Sequence, residues 1–222
     1  MQVSKRLFAL LRQATRLARD RRGLSTLEFA LILPLMLALS LSAIEMVNFV
    51  MVRQQVSQLA LQVVDNATRI GTQNSIQTEI DEKQVNDLFT GANLQANTLD
   101  LANNGRIILS SVEIDPEKPN GQYIHWQRCY GGLTYASTYG KQGDGKGTTS
   151  FAGMGPTGGK VTALTGVPAM FVEIGYQYKP LVWAIFGTDQ RIQENAGMLV
   201  RDSRDTSGPG INPVAGVTAS SC

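Results

Sequence analysis

Residues 29–52 read FALILPLMLALSLSAIEMVNFVMV, and this stretch decides the architecture. As a helix rising 1.5 Å per residue it runs about 36 Å, enough to cross a hydrocarbon core with some tilt. A buried core helix is usually shorter and amphipathic, and no cationic leader precedes it. Here residues 1–23 hold seven Lys or Arg and one acid, whereas Arg53 and Arg69 are the only cations in the twenty residues after the run. The positive-inside rule therefore places the N-terminus in the cytoplasm and residues 53–222 outside it.

Working outward, the apolar run continues into RQQVSQLALQVVDNATRIG, where Val56, Leu59, Ala60, Val63, Val64 and Ala67 recur at three- and four-residue spacing. That pattern makes one apolar stripe on a helix ending near Gly71. A single helix of about forty-five residues follows, half in the bilayer and half packed on a domain. The competing reading is a removable secretory signal, since Ala38-Leu39-Ser40 and Ser40-Leu41-Ser42 both offer small-x-small sites.

The formal charge of +2 conceals an asymmetry: the leader carries +6 and residues 24–222 carry −4. A nucleic-acid-binding domain needs a basic face on its folded part, and this chain has its positive charge in the leader. The two cysteines, Cys129 and Cys222, form an even pair in an exported domain, which favours one disulfide tying the C-terminus back. Two unrelated free thiols are the alternative.

Beyond Gly71 the chain is polar, and residues 84–101 carry a short surface helix. Strand signals follow at 106–114, 122–129, 170–178 and 192–201, with Asp115-Pro116 and Pro119-Asn120-Gly121 as turn chemistry between the first two. A long helix followed by an antiparallel sheet is an α+β roll. The expected organisation is a leader over 1–23, a long helix over 24–71 with its membrane segment at 29–52, and an extracytoplasmic α+β domain over 72–222. Eleven glycines between Gly131 and Gly166 argue for a long mobile loop.

No enzymatic or cofactor constellation stands out. Gly153–Gly158 fits G-x-G-x-x-G without a preceding strand, and GDGKG (143–147) offers one carboxylate where calcium needs six to eight oxygens. His125 is the sole histidine; Cys129, four residues on, shares its strand face, so a Cys–His nucleophile is conceivable only if Cys129 is free. No cofactor and no metal are expected.

At the head of the apolar run, RRGLSTLEFALILP joins the leader to the helix through Gly23, with a lone carboxylate, Glu28, five residues on. This junction resembles that of class III prepilins, and more specifically the TadE-like pseudopilin family of the tight-adherence (Tad, or Flp) pilus, on Gly23, Glu28, Phe29 and Pro34. The fragments 125–132, 172–181 and 199–202 also look like landmarks of longer TadE- and TadG-like proteins. The resemblance implies that a prepilin peptidase cuts after Gly23, leaving Leu24 as the new N-terminus. It implies that Glu28, beside Phe29, meets a neighbouring subunit's ammonium, each resolving the other's charge in low dielectric. Glu45, with Asn48 one turn further, is a second carboxylate on this helix and a possible intramembrane contact. The implied partners are other pilins or pseudopilins, the assembly machinery, the peptidase and the lipid bilayer; the implied place is a bacterial inner membrane with the domain in the periplasm. An uncleaved, membrane-anchored assembly factor and a secreted domain released by signal peptidase are the other readings.

Overall fold

The computed structural model describes residues 23–73, 77–96, 98–182 and 190–222. The cationic leader up to Arg22 lies outside them. Two compact units divide the chain, residues 1–47 and residues 48–222.

Helix α1, Leu24–Ala67, is unbroken for 44 residues despite Pro34. Within the first unit it exposes large apolar side chains all round, Leu31, Leu35, Leu37 and Leu39 among them. Within the second unit the pattern becomes one-sided: Val56, Leu59, Ala60, Val63, Val64 and Ala67 are buried. These are the stripe residues the periodicity singles out. Burying its four Val and Leu side chains contributes roughly 6–12 kcal/mol before the entropy of ordering is subtracted.

The helix stops at Ala67, one turn short of Gly71. Gly71 has φ of 138°, and a Cβ there would lie 2.3 Å from the Thr78 methyl, so this turn takes only glycine. It leads into a two-residue hairpin, β1 (Thr72–Gln73) with β2 (Thr78–Glu79).

Helix α2, Glu82–Ala96, opens with a capping box. The Gln84 N–H donates to Asp81 Oδ1 at 2.8 Å, and the Asp81 N–H donates to Gln84 Oε1 at 3.1 Å. Its Val85, Phe89, Ala92 and Ala96 are buried, with Phe89 stacked 5.9 Å from Tyr130. The expected surface helix is thus an amphipathic core helix that starts two residues earlier. A single turn, α3 (Leu101–Asn104), then feeds the sheet.

Four antiparallel strands follow, in spatial order β4-β3-β5-β6: β3 Gly105–Asp115, β4 Lys118–Tyr130, β5 Ala169–Tyr178 and β6 Gln190–Leu199. Three cover the strand signals at 106–114, 122–129 and 170–178, and β6 overlaps the fourth (192–201) two residues earlier. The β3–β4 turn is the tight Asp115–Lys118 connection, and Pro119, Asn120 and Gly121 fall in an irregularity where β4 slips register against β3.

Both sheet faces are buried, by unlike means. Ile107, Leu109, Val172 and Ile174 point toward α1 and α2. Val112, Ile124, Ala169 and Phe171 form a second cluster with Met154 and Ala163 of the glycine-rich segment. Tyr139 meets the Phe171 ring edge-on at 5.4 Å, and Tyr135 sits so close above Gly175 that a Cβ there would come within 2.9 Å of it. The segment expected to be a mobile loop is therefore a packed layer. A few aromatic and aliphatic side chains anchor it, with no periodicity for a sequence pattern to reveal.

Glu173, buried in the middle of β5, ties this layer down. Ser137 Oγ, the Thr138 N–H (2.8 Å) and Tyr135 Oη (3.5 Å) all donate to its carboxylate. Burial still pushes its pKa up, against the lowering effect of those donors.

Candidate functional site: the junction helix and its attachment

Gly23 is exposed, and its carbonyl accepts the first helical bond from the Leu27 N–H at 3.1 Å. Its φ is not in the left-handed region, and a Cβ built on it would meet nothing within 4 Å. Neither conformation nor packing requires glycine at this position. Leu24 opens the helix. Glu28 is exposed and Phe29 is 63% exposed, so both present their side chains outward one turn beyond Gly23.

Ser25–Ala67 contains a window long and apolar enough to cross a bilayer, and none of that window is buried. A core helix of a soluble domain is mostly buried, the opposite of this window, and an apolar surface of this kind is one that a lipid bilayer can cover.

Glu45 and Asn48 lie one turn apart on α1. Glu45 is only 1% exposed. Asn48 Nδ2 donates to Tyr178 Oη at 2.6 Å, and Phe49 meets the Tyr178 ring edge-on at 5.1 Å. One turn on, Arg53 pairs with Glu194 of β6 at 2.8 Å. Asn48, Phe49 and Arg53 thus dock α1 against the end of β5 and the middle of β6, a role for Asn48 within its own domain. Tyr178 lies in the 172–181 fragment, and its part in this docking has no sequence signal.

At the other end of α1 stands Arg204, also unforeseen. Its guanidinium is buried and donates to the carbonyls of Ala67 (3.3 Å), Thr68 (3.3 Å) and Ile70 (2.8 Å). A cation on these final carbonyls satisfies groups that a helix end leaves open and complements its dipole. A cap lying 137 residues away in sequence could not be anticipated from local patterns.

Arg204 belongs to the C-terminal tail, which runs past β2 and α2 and ends on β4. Thr78 bridges Arg204 and Asp81 bridges Asn212 in parallel fashion, and the Cys129 N–H donates to Ser220 O at 2.7 Å. Cys129 and Cys222 are joined by a disulfide, with Cα atoms 5.0 Å apart. Cys129 is therefore no nucleophile. His125 is engaged at both nitrogens, Nδ1 with Glu113 Oε2 at 2.7 Å and Nε2 with Gly208 O at 3.1 Å. Burial opposes its charge, but the Glu113 carboxylate outweighs burial and raises its pKa. The histidine fastens the tail to the sheet.

Gly153–Gly158 lies in the packed layer, with Met154 bridged to Val161, and neither a strand before it nor a helix after it is present. Among the described residues no group of three His, Cys, Asp or Glu is placed to hold a metal.

No curated protein and no solved structure matches this chain significantly. Residues 23–65, from the junction glycine to the last turns of α1, match the family model described as TadE-like protein, the family that the junction resembles.

Proposed function

We propose that the chain is a minor pilin or pseudopilin of a Tad-type pilus, cut after Gly23 by a prepilin peptidase and held in the bacterial inner membrane by α1 with its domain in the periplasm. The observation that carries this reading is Gly23 itself. The fold makes no demand for glycine there, yet the family match begins at that residue. A protease that must close around an extended backbone supplies the missing demand, because any side chain would stand in its way. After the cut, Leu24 carries an ammonium and Glu28 lies one turn along the same helix. In hydrocarbon each charge is costly alone, so Glu28 of one subunit and the ammonium of the next resolve each other and set the register between neighbours.

The continuity of α1 speaks against release by signal peptidase. Both small-x-small sites lie inside the helix, where Ser42 Oγ donates to Ala38 O at 2.7 Å, and the distal half of the same helix is core.

Replacing Gly23 with Phe tests the reading. Intact-mass measurement and N-terminal sequencing of membrane fractions should find Leu24 first in the parent and Met1 first in G23F. Normal cutting of G23F would remove the prepilin assignment. A parent that keeps Met1 would make the chain an uncleaved tether of the same system, and one that begins after Ser40 would make it a secreted domain.

A further inference from the structure

A cavity of about 790 Å³ opens on the outer face of the sheet, within the roughly 300–1,000 Å³ usual for small-molecule sites. Arg106 and Ile108 of β3 with Gln127 and Cys129 of β4 line its base; residues 132–138, Gly140 and Lys141 line it from above, and Cys222 lines one side. The covering segment is pinned at its middle and just past its end. Ser137 and Thr138 are held by Glu173, and the Gly143 N–H and Asp144 carbonyl bond to Ile124 of β4 at 2.8 and 3.0 Å.

Two cations line this cavity, and neither is in an ion pair among the described residues. Lys141 is exposed at the rim. Arg106 is partly buried, and of its five N–H donors one reaches an acceptor, Nη1 to Gly131 O at 2.9 Å, while Nε is buried without one. The one carboxylate in the lining, Asp144, has its Oδ2 engaged by the Lys141 backbone N–H at 2.9 Å. A partly desolvated guanidinium without a counter-charge is costly, and an anion in the cavity would offset that cost.

We propose that this cleft binds an acidic sugar, a carboxylate-bearing glycan unit whose charge lies between Arg106 and Lys141. The rest of the lining favours a sugar over other anions. Gln127 uses its amide N–H groups on Ser110 and Gly140, which leaves its Oε1 to accept a hydroxyl, and Leu133 and Ala136 of the covering segment offer apolar surface for a ring's C–H face. Nucleobase stacking is disfavoured because Tyr135 has Arg191 6.0 Å over its ring and Gly175 beneath it. A peptide cannot add as a strand at β4, since residues 143–144 and Ser220 already take backbone bonds along that edge.

The test uses the full chain in detergent micelles, titrated with trigalacturonate, with maltotriose as the neutral counterpart, and with inorganic phosphate. Trigalacturonate should bind at least about tenfold tighter than maltotriose or phosphate, and Arg106→Gln and Lys141→Gln should each weaken it about tenfold, the effect of one lost charge-assisted contact. Lys141 is exposed, so K141Q folds even if R106Q does not, and intact disulfide mass with circular dichroism checks both. Equal binding of trigalacturonate and maltotriose, phosphate binding as tight as trigalacturonate, undiminished binding by K141Q, or no binding at millimolar concentration would each overturn the proposal. None of these readings depends on cutting at Gly23, so the pilus assignment stands or falls separately.

Discussion

The two halves of α1 are one helix with two different surfaces. Up to Val47 its large apolar side chains point outward on every side; from Val56 onward the apolar positions gather on one buried stripe and Gln54, Gln55, Gln58 and Gln62 stay exposed. Apolar content falls from one half to the other, and the arrangement of what remains changes with it. An all-round apolar surface is stable only in a non-aqueous surrounding, whereas a striped one needs a single packed face. Stability of the domain should therefore reside in the distal half, and assembly in the proximal half.

Glu28→Leu should have the largest effect and on assembly alone. Removing a carboxylate from the edge of the apolar run eases insertion, by less than the roughly 2.5–3.5 kcal/mol of a charge at mid-membrane, yet it deletes the proposed partner of a neighbour's ammonium. The variant should be cut, membrane-resident and unable to co-purify with pilin partners; full assembly would reduce Glu28 to a boundary marker. Next comes Cys222→Ser, expected to lower stability by about 3–5 kcal/mol in denaturant unfolding of the detergent-solubilised chain, because it frees a tail that also carries the Arg204 cap. Leu59→Ala, in the buried stripe, should cost about 2–5 kcal/mol, while Leu37→Ala, 53% exposed in the proximal half, should stay within about 0.5 kcal/mol in the same assay. Equal costs for the two leucines would collapse the distinction between the halves.

The smallest effect is pH-dependent. The His125 pKa is raised in the folded state, so its stabilisation is full below the unfolded value of about 6.5 and fades as pH rises through the higher folded value. Relative to His125→Gln, the parent should lose its advantage as the pH is raised from about 6 to 8, as measured by thermal unfolding.

Much of this was legible in the sequence because it rests on local periodicity. The stripe on α1 appears as three- and four-residue spacing, and the four strands appear as β-branched and aromatic runs. The hidden parts depend on distant partners. Arg204 caps a helix far earlier in the chain, Asn48 finds Tyr178, and α2 reads as a surface helix because its burial depends on Phe89 meeting Tyr130. The glycine-rich layer misled for a related reason: Tyr135, Ser137 and Thr138 gain their purpose only from Glu173 and Gly175 beneath them. At the junction the sequence signal is the stronger one, since Gly23 looks unremarkable in the fold.

The bond between Cys129 and Cys222 also has a mechanical consequence. Tension applied between α1 and the C-terminus passes directly from β4 through the sulfurs, and the 93-residue span between them carries none of it. At about 3.5 Å per extended residue, that withholds roughly 300 Å of slack from any stretched state. β5, β6 and the glycine-rich layer lie within the shielded span. Under load, only the stretch from α1 to the middle of the domain can pay out, so the chain behaves as a short tether even when its non-covalent contacts yield.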